Sequence, residues 1–170
     1  MGGQGSSVIV DLEGTIAELA PRVLRYANAR LGDKALAEDV AQESLTALVR
    51  ACRNGGAPQS AEAFVFAIAR RRAGRAAWRR RWWAPLDLAF GARAEAPSPE
   101  AQAIANNEAA RVRKALARLS SRDREAILFV AAGGLSMADA AAALGLSLSA
   151  VKMRVSRART RLAALLEEGL

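Results

Sequence analysis

Near the C-terminal end of the sequence, small and flexible side chains recur at helical spacing and are bordered by cations. These side chains are Ser149, Met153, Ser156 and Thr160. At about 100° per residue, these positions share one side of a helix. The cations that border it are Lys152, Arg154, Arg159 and Arg161. This profile suits the major groove of duplex DNA, where cations contact the phosphate walls and short side chains reach base edges. The alternative is the solvated basic face of an amphipathic hairpin.

Two helices joined by a tight turn must position this face. The opposite side of the second helix carries an apolar stripe that must pack inward: Val151, Val155, Ala158 and Leu162. Gly145 is predicted to end the first helix in the left-handed conformation, and Ser147 is predicted to cap the second. Because no acid lies three positions after Ser147, the positive end of the second helix can accept a phosphate. This pattern predicts a helix-turn-helix.

A second candidate surface combines arginine with tryptophan. Residues 70–81 contain seven arginines in twelve positions, interleaved with Trp78 and followed by Trp82 and Trp83. Guanidinium groups hold phosphates and indole planes stack on unpaired bases, so this composition is typical of a single-strand binding surface. The inward stripe of this helix turns cationic at Arg72, Arg75 and Arg79, so this end cannot be buried as the preceding turns are. The alternative is a solvated helix end with its tryptophans folded into the core.

A third candidate surface is an acidic and amide-bearing stripe on the helix predicted from about Lys34 to Arg53. Its members are Asp39, Gln42, Glu43, Thr46 and Arg50. The opposite side of the same helix carries the inward stripe Ala41, Leu45, Leu48 and Cys52. In a protein this basic, the polar stripe is either an ordinary solvated face or a docking face for a protein partner.

Composition limits the classes of function. The chain has 170 residues, a net charge of +8 and a pI of about 11.1, which indicate an acidic partner. Without an 18-residue apolar run or a signal-like start, we expect nucleic acid rather than a membrane, and a cytoplasmic protein. One cysteine and no histidine exclude a disulfide framework, a Cys/His zinc site and histidine-dependent catalysis. We therefore expect neither a metal nor a cofactor.

Hydrophobic periodicity predicts an all-α protein with two small helical domains joined by a flexible linker. Residues 1–10 are assigned to a disordered tail and 11–84 to the first domain. Residues 85–106, which contain three prolines and little periodicity, are assigned to the linker. Residues 107–170 form the second domain, which carries the helix-turn-helix.

Together these features resemble a bacterial RNA polymerase sigma factor of the sigma-70 family, in the extracytoplasmic-function (ECF) group. Residues 35–48, ALAEDVAQESLTAL, are similar to the polymerase-clamp-binding helix of that family. Residues 64–81 resemble its promoter-melting and minus-10 segment, which makes the first domain sigma region 2. The VKxRxxRARxxL pattern of residues 151–162 is the most specific match and makes the second domain sigma region 4.

The resemblance implies a specificity subunit, not an enzyme, that binds core RNA polymerase, directs it to promoter DNA and helps to open the duplex. It assigns polymerase binding to Asp39, Gln42 and Glu43. It assigns minus-10 DNA to Arg71, Arg72, Arg75, Trp78, Arg79, Arg80 and Trp82. It assigns minus-35 DNA to Ser149, Lys152, Met153, Arg154, Ser156, Arg157, Arg159 and Arg161. It also implies an anti-sigma factor as a partner. The alternative is a stand-alone helix-turn-helix regulator that never binds polymerase.

Overall fold

The computed structural model describes residues 12–87 and 99–168, with side-chain detail outside 80–107. Within those ranges every regular element is a helix, so the all-α prediction is confirmed. The elements in chain order are α1 (Leu12–Leu31), α2 (Lys34–Arg53), α3 (Ala61–Asp87), α4 (Pro99–Ala117), α5 (Ser121–Ala131), α6 (Met137–Leu144) and α7 (Leu148–Glu167). We call α1–α3 the N-terminal half and α4–α7 the C-terminal half.

The N-terminal half is a three-helix unit whose ends are fixed by polar caps. The Asp33 carboxylate caps α2 by accepting a hydrogen bond from the Leu36 amide at 3.1 Å. The Ser60 hydroxyl caps α3 in the same way, from the Ala63 amide at 3.1 Å. These caps satisfy amides that have no partner inside their helices, so they set where α2 and α3 begin.

The inward face of α3 changes residue type along its length. In its first turns Val65, Phe66 and Ile68 are buried. Further along, the buried positions are alanines, Ala69, Ala73 and Ala76. The prediction that the inward stripe turns cationic at Arg72, Arg75 and Arg79 is therefore wrong, because the buried face continues through these alanines. The arginines lie beside that face and outside the core: Arg70, Arg71, Arg75 and Arg79 are exposed and Arg72 is half-buried. Small inward residues let α3 pack closely while it carries a high density of cations.

The two halves share one hydrophobic core. Tyr26 of α1, Phe66 of α3 and Phe129 of α5 are fully buried against one another. Their ring centroids are 5.6 Å apart for Tyr26 and Phe66, 5.0 Å for Tyr26 and Phe129, and 5.6 Å for Phe66 and Phe129. These separations are in the range of favourable aromatic pairs. The close packing of Phe66 requires glycine at position 133, because a Cβ there would lie 2.5 Å from the Phe66 ring.

Polar groups also cross between the halves. The buried Glu125 carboxylate accepts hydrogen bonds from the Tyr26 hydroxyl and from Arg30 Nε, the latter at 3.2 Å. The Arg22 guanidinium donates to the carbonyl oxygens of Gly133 and Gly134, each at 2.9 Å. These bonds satisfy groups that the shared core removes from water, so they fix the orientation of the two halves.

The segment predicted as a linker has helical ends. Helix α3 continues through Pro85 to Asp87, and α4 begins at Pro99, several residues before the predicted start of the second domain at 107. Residues 88–98 and the predicted tail, 1–10, lie outside the described residues. The domain boundaries and the flexibility of the linker therefore stay predictions. Among the described residues, none of the helices combines the length and apolar character that a membrane span requires.

Candidate functional site

The predicted DNA-reading face of α7 is on the surface. Met153 is 61% exposed, and Ser149, Ser156 and Thr160 are exposed with it. On the opposite side, the predicted inward stripe is buried at Val151, Val155 and Ala158 and half-buried at Leu162. The orientation of α7 predicted from its periodicity is confirmed, and its polar face is exposed to solvent.

The turn before α7 has the predicted geometry. Gly145 adopts φ of 66° and ψ of 42°, the left-handed conformation that glycine enters without steric cost. The Ser147 hydroxyl accepts from the Ala150 amide at 3.2 Å and lies 3.1 Å from the Ser149 hydroxyl. The first turn of α7 has no acidic residue, so its positive end is not neutralised by its own side chains.

The cations on α7 fall into two groups. Lys152, Arg159 and Arg161 are exposed and form no ion pair with any described residue. Arg157 is exposed but pairs with Asp123 of α5 at 3.3 Å, and Arg154 is half-buried toward the N-terminal half. The first group is available to DNA phosphates as the halves are placed here, whereas Arg157 must leave an ion pair to reach them.

The arginine and tryptophan surface of α3 is also exposed in its described part. Trp78 is 61% exposed, and Arg71, Arg75 and Arg79 are exposed. The alternative that Trp78 folds into the core is wrong. The side chains of Arg80 and Trp82 lie outside the described residues.

The acidic stripe on α2 lies beside the α3 surface. Asp39, Gln42 and Glu43 are exposed. With Thr46 and Arg50 they form one wall of an open groove of about 850 Å³. The other wall consists of Arg72, Arg75, Ala76, Trp78 and Arg79. The Glu43 carboxylate binds the Arg72 guanidinium across this groove. The structure therefore brings together the predicted polymerase-binding and minus-10 residues, which the sequence treats as separate surfaces.

Two side-chain pairs that join the halves were not predicted from the sequence: Tyr26 with Glu125, and Ser60 with Asp139. Tyr26 has a pKa raised well above its ordinary value, first by burial and then by the adjacent Glu125 carboxylate. Hydrogen bonds from Ser136 and then Ser60 lower the pKa of Asp139. The Ser60 hydroxyl donates to that carboxylate at 2.8 Å across 79 residues of sequence. Only the Ser136 and Asp139 pair has a local signal, since it is a capping pattern within α6.

No group of three or more potential metal ligands occurs among the described residues. The described surfaces are instead sets of cations, planar groups and small polar side chains. Such sets bind phosphates and bases.

Comparison with known proteins agrees with this geometry. The sigma-70 region 2 family matches residues 15–84, and the sigma-70 region 4 family matches residues 109–162. The ECF RNA polymerase sigma factor ShbA of Streptomyces griseus is 35% identical over 166 residues, covering 90% of this chain and 86% of ShbA. The RNA polymerase sigma factor CnrH of Cupriavidus metallidurans is 46% identical over 82 residues, covering 48% of this chain and 43% of CnrH.

Solved structures with similar folds include two protein complexes. CnrH bound to the cytosolic domain of CnrY has a TM-score of 0.68 and 27% identity, covering 94% of this chain and 89% of that one. RpoE bound to the anti-sigma factor NepR, from Bartonella quintana, has a TM-score of 0.65 and 28% identity, covering 94% of this chain and 99% of that one. Two matched regions, the exposed faces of α2, α3 and α7, and a relative aligned over most of its length lead to one conclusion: the chain belongs to the sigma-70 family of RNA polymerase sigma factors, in its ECF group.

Proposed function

We propose that this chain binds core RNA polymerase, directs it to specific promoters and helps to open the duplex. The observation that carries the proposal is the arrangement of the N-terminal half. There an exposed acidic stripe on α2 borders an exposed arginine and tryptophan surface on α3. A stand-alone DNA-binding regulator needs the α7 face but has no use for this second arrangement.

The acidic stripe supplies the contact with polymerase. Asp39, Gln42 and Glu43 project from α2 opposite its buried Leu48, so they can engage a partner without disturbing the core. Glu43 and Arg72 neutralise each other across the groove. A basic partner surface would compete with Arg72 for Glu43 and release that arginine toward DNA.

The two DNA surfaces have separate tasks because they offer different chemistry. The exposed indole of Trp78 stacks on an unpaired base of the minus-10 strand, while Arg71, Arg75 and Arg79 hold its phosphates. Ser149, Met153 and Ser156 approach the base edges of the minus-35 duplex from α7, and its arginines hold the backbone. The chain catalyses no reaction of its own, and it acts in the cytoplasm with the polymerase.

An anti-sigma factor completes the proposed set of partners. The similar RpoE was solved in complex with an anti-sigma factor, and CnrH was solved in complex with the cytosolic domain of CnrY. We extend to this chain a partner that binds the folded sigma factor and withholds it from polymerase.

A polymerase binding assay separates this proposal from the stand-alone regulator. The double variant Asp39→Lys, Glu43→Lys reverses the charge of the α2 stripe at exposed positions and should weaken binding to core polymerase at least tenfold. Glu108→Lys, a charge reversal at an exposed position on α4, is the matched control and should bind as the wild type does. Circular dichroism should show equal helix content in all three proteins. Equal affinity of the double variant and the control would contradict the docking role.

A further inference from the structure

A cleft between the two halves contains an unusual concentration of arginine. Its volume is about 520 Å³, and it lies between the middle of α3 and the helices α5 and α7. The residues that line it are Arg30, Arg70, Arg71, Gly74, Ser121, Arg122, Glu125, Leu144, Leu146 and Arg154. They come from both halves of the chain, so the cleft exists only while the halves are packed together.

The charges in this cleft are not balanced. Five arginines face one carboxylate, Glu125, which is already occupied by Arg30 and the Tyr26 hydroxyl. Among the described residues, Arg70, Arg71, Arg122 and Arg154 have neither an ion-pair nor a hydrogen-bond partner for their guanidinium groups. Like charges that converge in this way repel one another, and a bound anion would remove that repulsion.

We propose that this cleft binds a small ligand with two or more adjacent phosphate groups. Arginine presents a planar fork of N–H donors that matches phosphate oxygens in pairs, and several such forks from opposite walls favour a ligand with several phosphates. The cleft volume lies within the range of about 300–1,000 Å³ typical of small-molecule sites, which often occur between domains.

The size of the cleft favours a small ligand over duplex DNA, because a volume of about 520 Å³ is that of a small-molecule site. The apolar walls at Leu144 and Leu146 provide a surface on which an attached organic group, such as a nucleoside, can pack.

A ligand in the cleft would act on both halves at once. It would contact Arg70 and Arg71 on α3 and Arg122 and Arg154 in the C-terminal half, so it would stabilise the packed arrangement. Arg71 and Arg154 are also proposed DNA contacts. Ligand and promoter would therefore compete, and each would weaken the other by the same factor. Only this competition depends on the proposed function; the binding itself does not.

Isothermal titration calorimetry of the full chain with inorganic tripolyphosphate tests the binding. We expect one site per chain in the wild type. The double variant Arg70→Ala, Arg122→Ala removes one cation from each half at exposed positions and should raise the Kd at least tenfold. Arg53→Ala, an exposed arginine at the end of α2 outside the cleft, should leave the Kd unchanged. Absence of wild-type binding, several equivalent sites, or equal weakening by Arg53→Ala would overturn the proposal.

Two further experiments identify which feature of the anion the cleft recognises. Sodium sulfate at matched ionic strength should fail to displace tripolyphosphate, because single anions lack the adjacent phosphates. In a promoter-binding assay, tripolyphosphate should displace duplex from the wild type at concentrations near its Kd, and the double variant should need at least tenfold more. If displacement follows ionic strength alone in both proteins, the anion acts by screening and the cleft is not a ligand site.

Discussion

Tyr26 and Glu125 offer the sharpest test of the packing between the halves. Tyr26 is fully buried on α1, and its hydroxyl donates to the buried Glu125 carboxylate on α5. Tyr26→Phe keeps the ring and its contacts with Phe66 and Phe129 but removes the donor. The carboxylate then retains Arg30 as its remaining side-chain partner.

The expected cost follows from the charge of the acceptor. A hydrogen bond to a charged group contributes about 1.5–3 kcal/mol, so Tyr26→Phe should lower the free energy of unfolding by about that amount. For a chain of this size, each kcal/mol corresponds to about 2–4 °C, which gives a fall in Tm of about 3–12 °C. Glu125→Gln keeps an acceptor for the hydroxyl but loses the ion pair with Arg30, and the two changes should not be additive.

Urea unfolding of the wild type, both single variants and the double variant measures this coupling. The double-mutant cycle should give an interaction energy of about 0.5–3 kcal/mol. Glu108→Gln, at an exposed glutamate, is the control and should change stability by less than about 0.5 kcal/mol. An interaction energy near zero, with Tyr26→Phe as mild as the control, would refute the contact between the halves.

The Tyr26 hydroxyl should also make the free energy of unfolding depend on pH. Because burial raises the pKa of Tyr26, the stability that its hydroxyl supplies is fully present below about pH 10 and is lost as pH rises through the pKa of the folded state. The chain has a single tyrosine, so tyrosinate absorbance measures its ionisation directly. The pKa of Asp139 is lowered, so its stabilisation is present above about pH 4 and is lost on acidification. The stability difference between Ser60→Ala and wild type should shrink there. Gly133→Ala should destabilise by about 1–3 kcal/mol, measured by urea unfolding. Trp78→Ala should spare duplex binding but reduce promoter opening, measured by permanganate footprinting.

The sequence predicts those features of the site that depend on local periodicity and local capping. The face of α7, with Met153 exposed and Val151 buried, follows from a repeat of 3.6 residues. The left-handed Gly145 and the Ser147 cap follow from the types of two nearby residues. The end of α3 is predicted only in part: its arginines Arg75 and Arg79 are exposed as their charge requires, but the inward face of the helix stays buried through alanines.

Contacts between distant segments could not be predicted from the sequence. Tyr26 and Glu125 are 99 positions apart, and no local sequence pattern around either residue predicts its partner. The pairing of Glu43 with Arg72 depends on the packing angle between α2 and α3, which periodicity does not set. The arginine cleft is assembled from five helices of both halves, so the concentration of charge arises only when the halves are packed together.

Transcription by core polymerase in vitro tests directly whether this chain acts as a sigma factor that selects promoters. Transcripts made from a genomic template by core enzyme alone and with this protein would be sequenced and their start sites mapped. We expect new start sites that require the protein and share two sequence elements upstream, and loss of those starts with the Asp39→Lys, Glu43→Lys double variant. Identical transcripts with and without the protein, although the folded chain binds duplex DNA, would contradict this role and favour a stand-alone regulator.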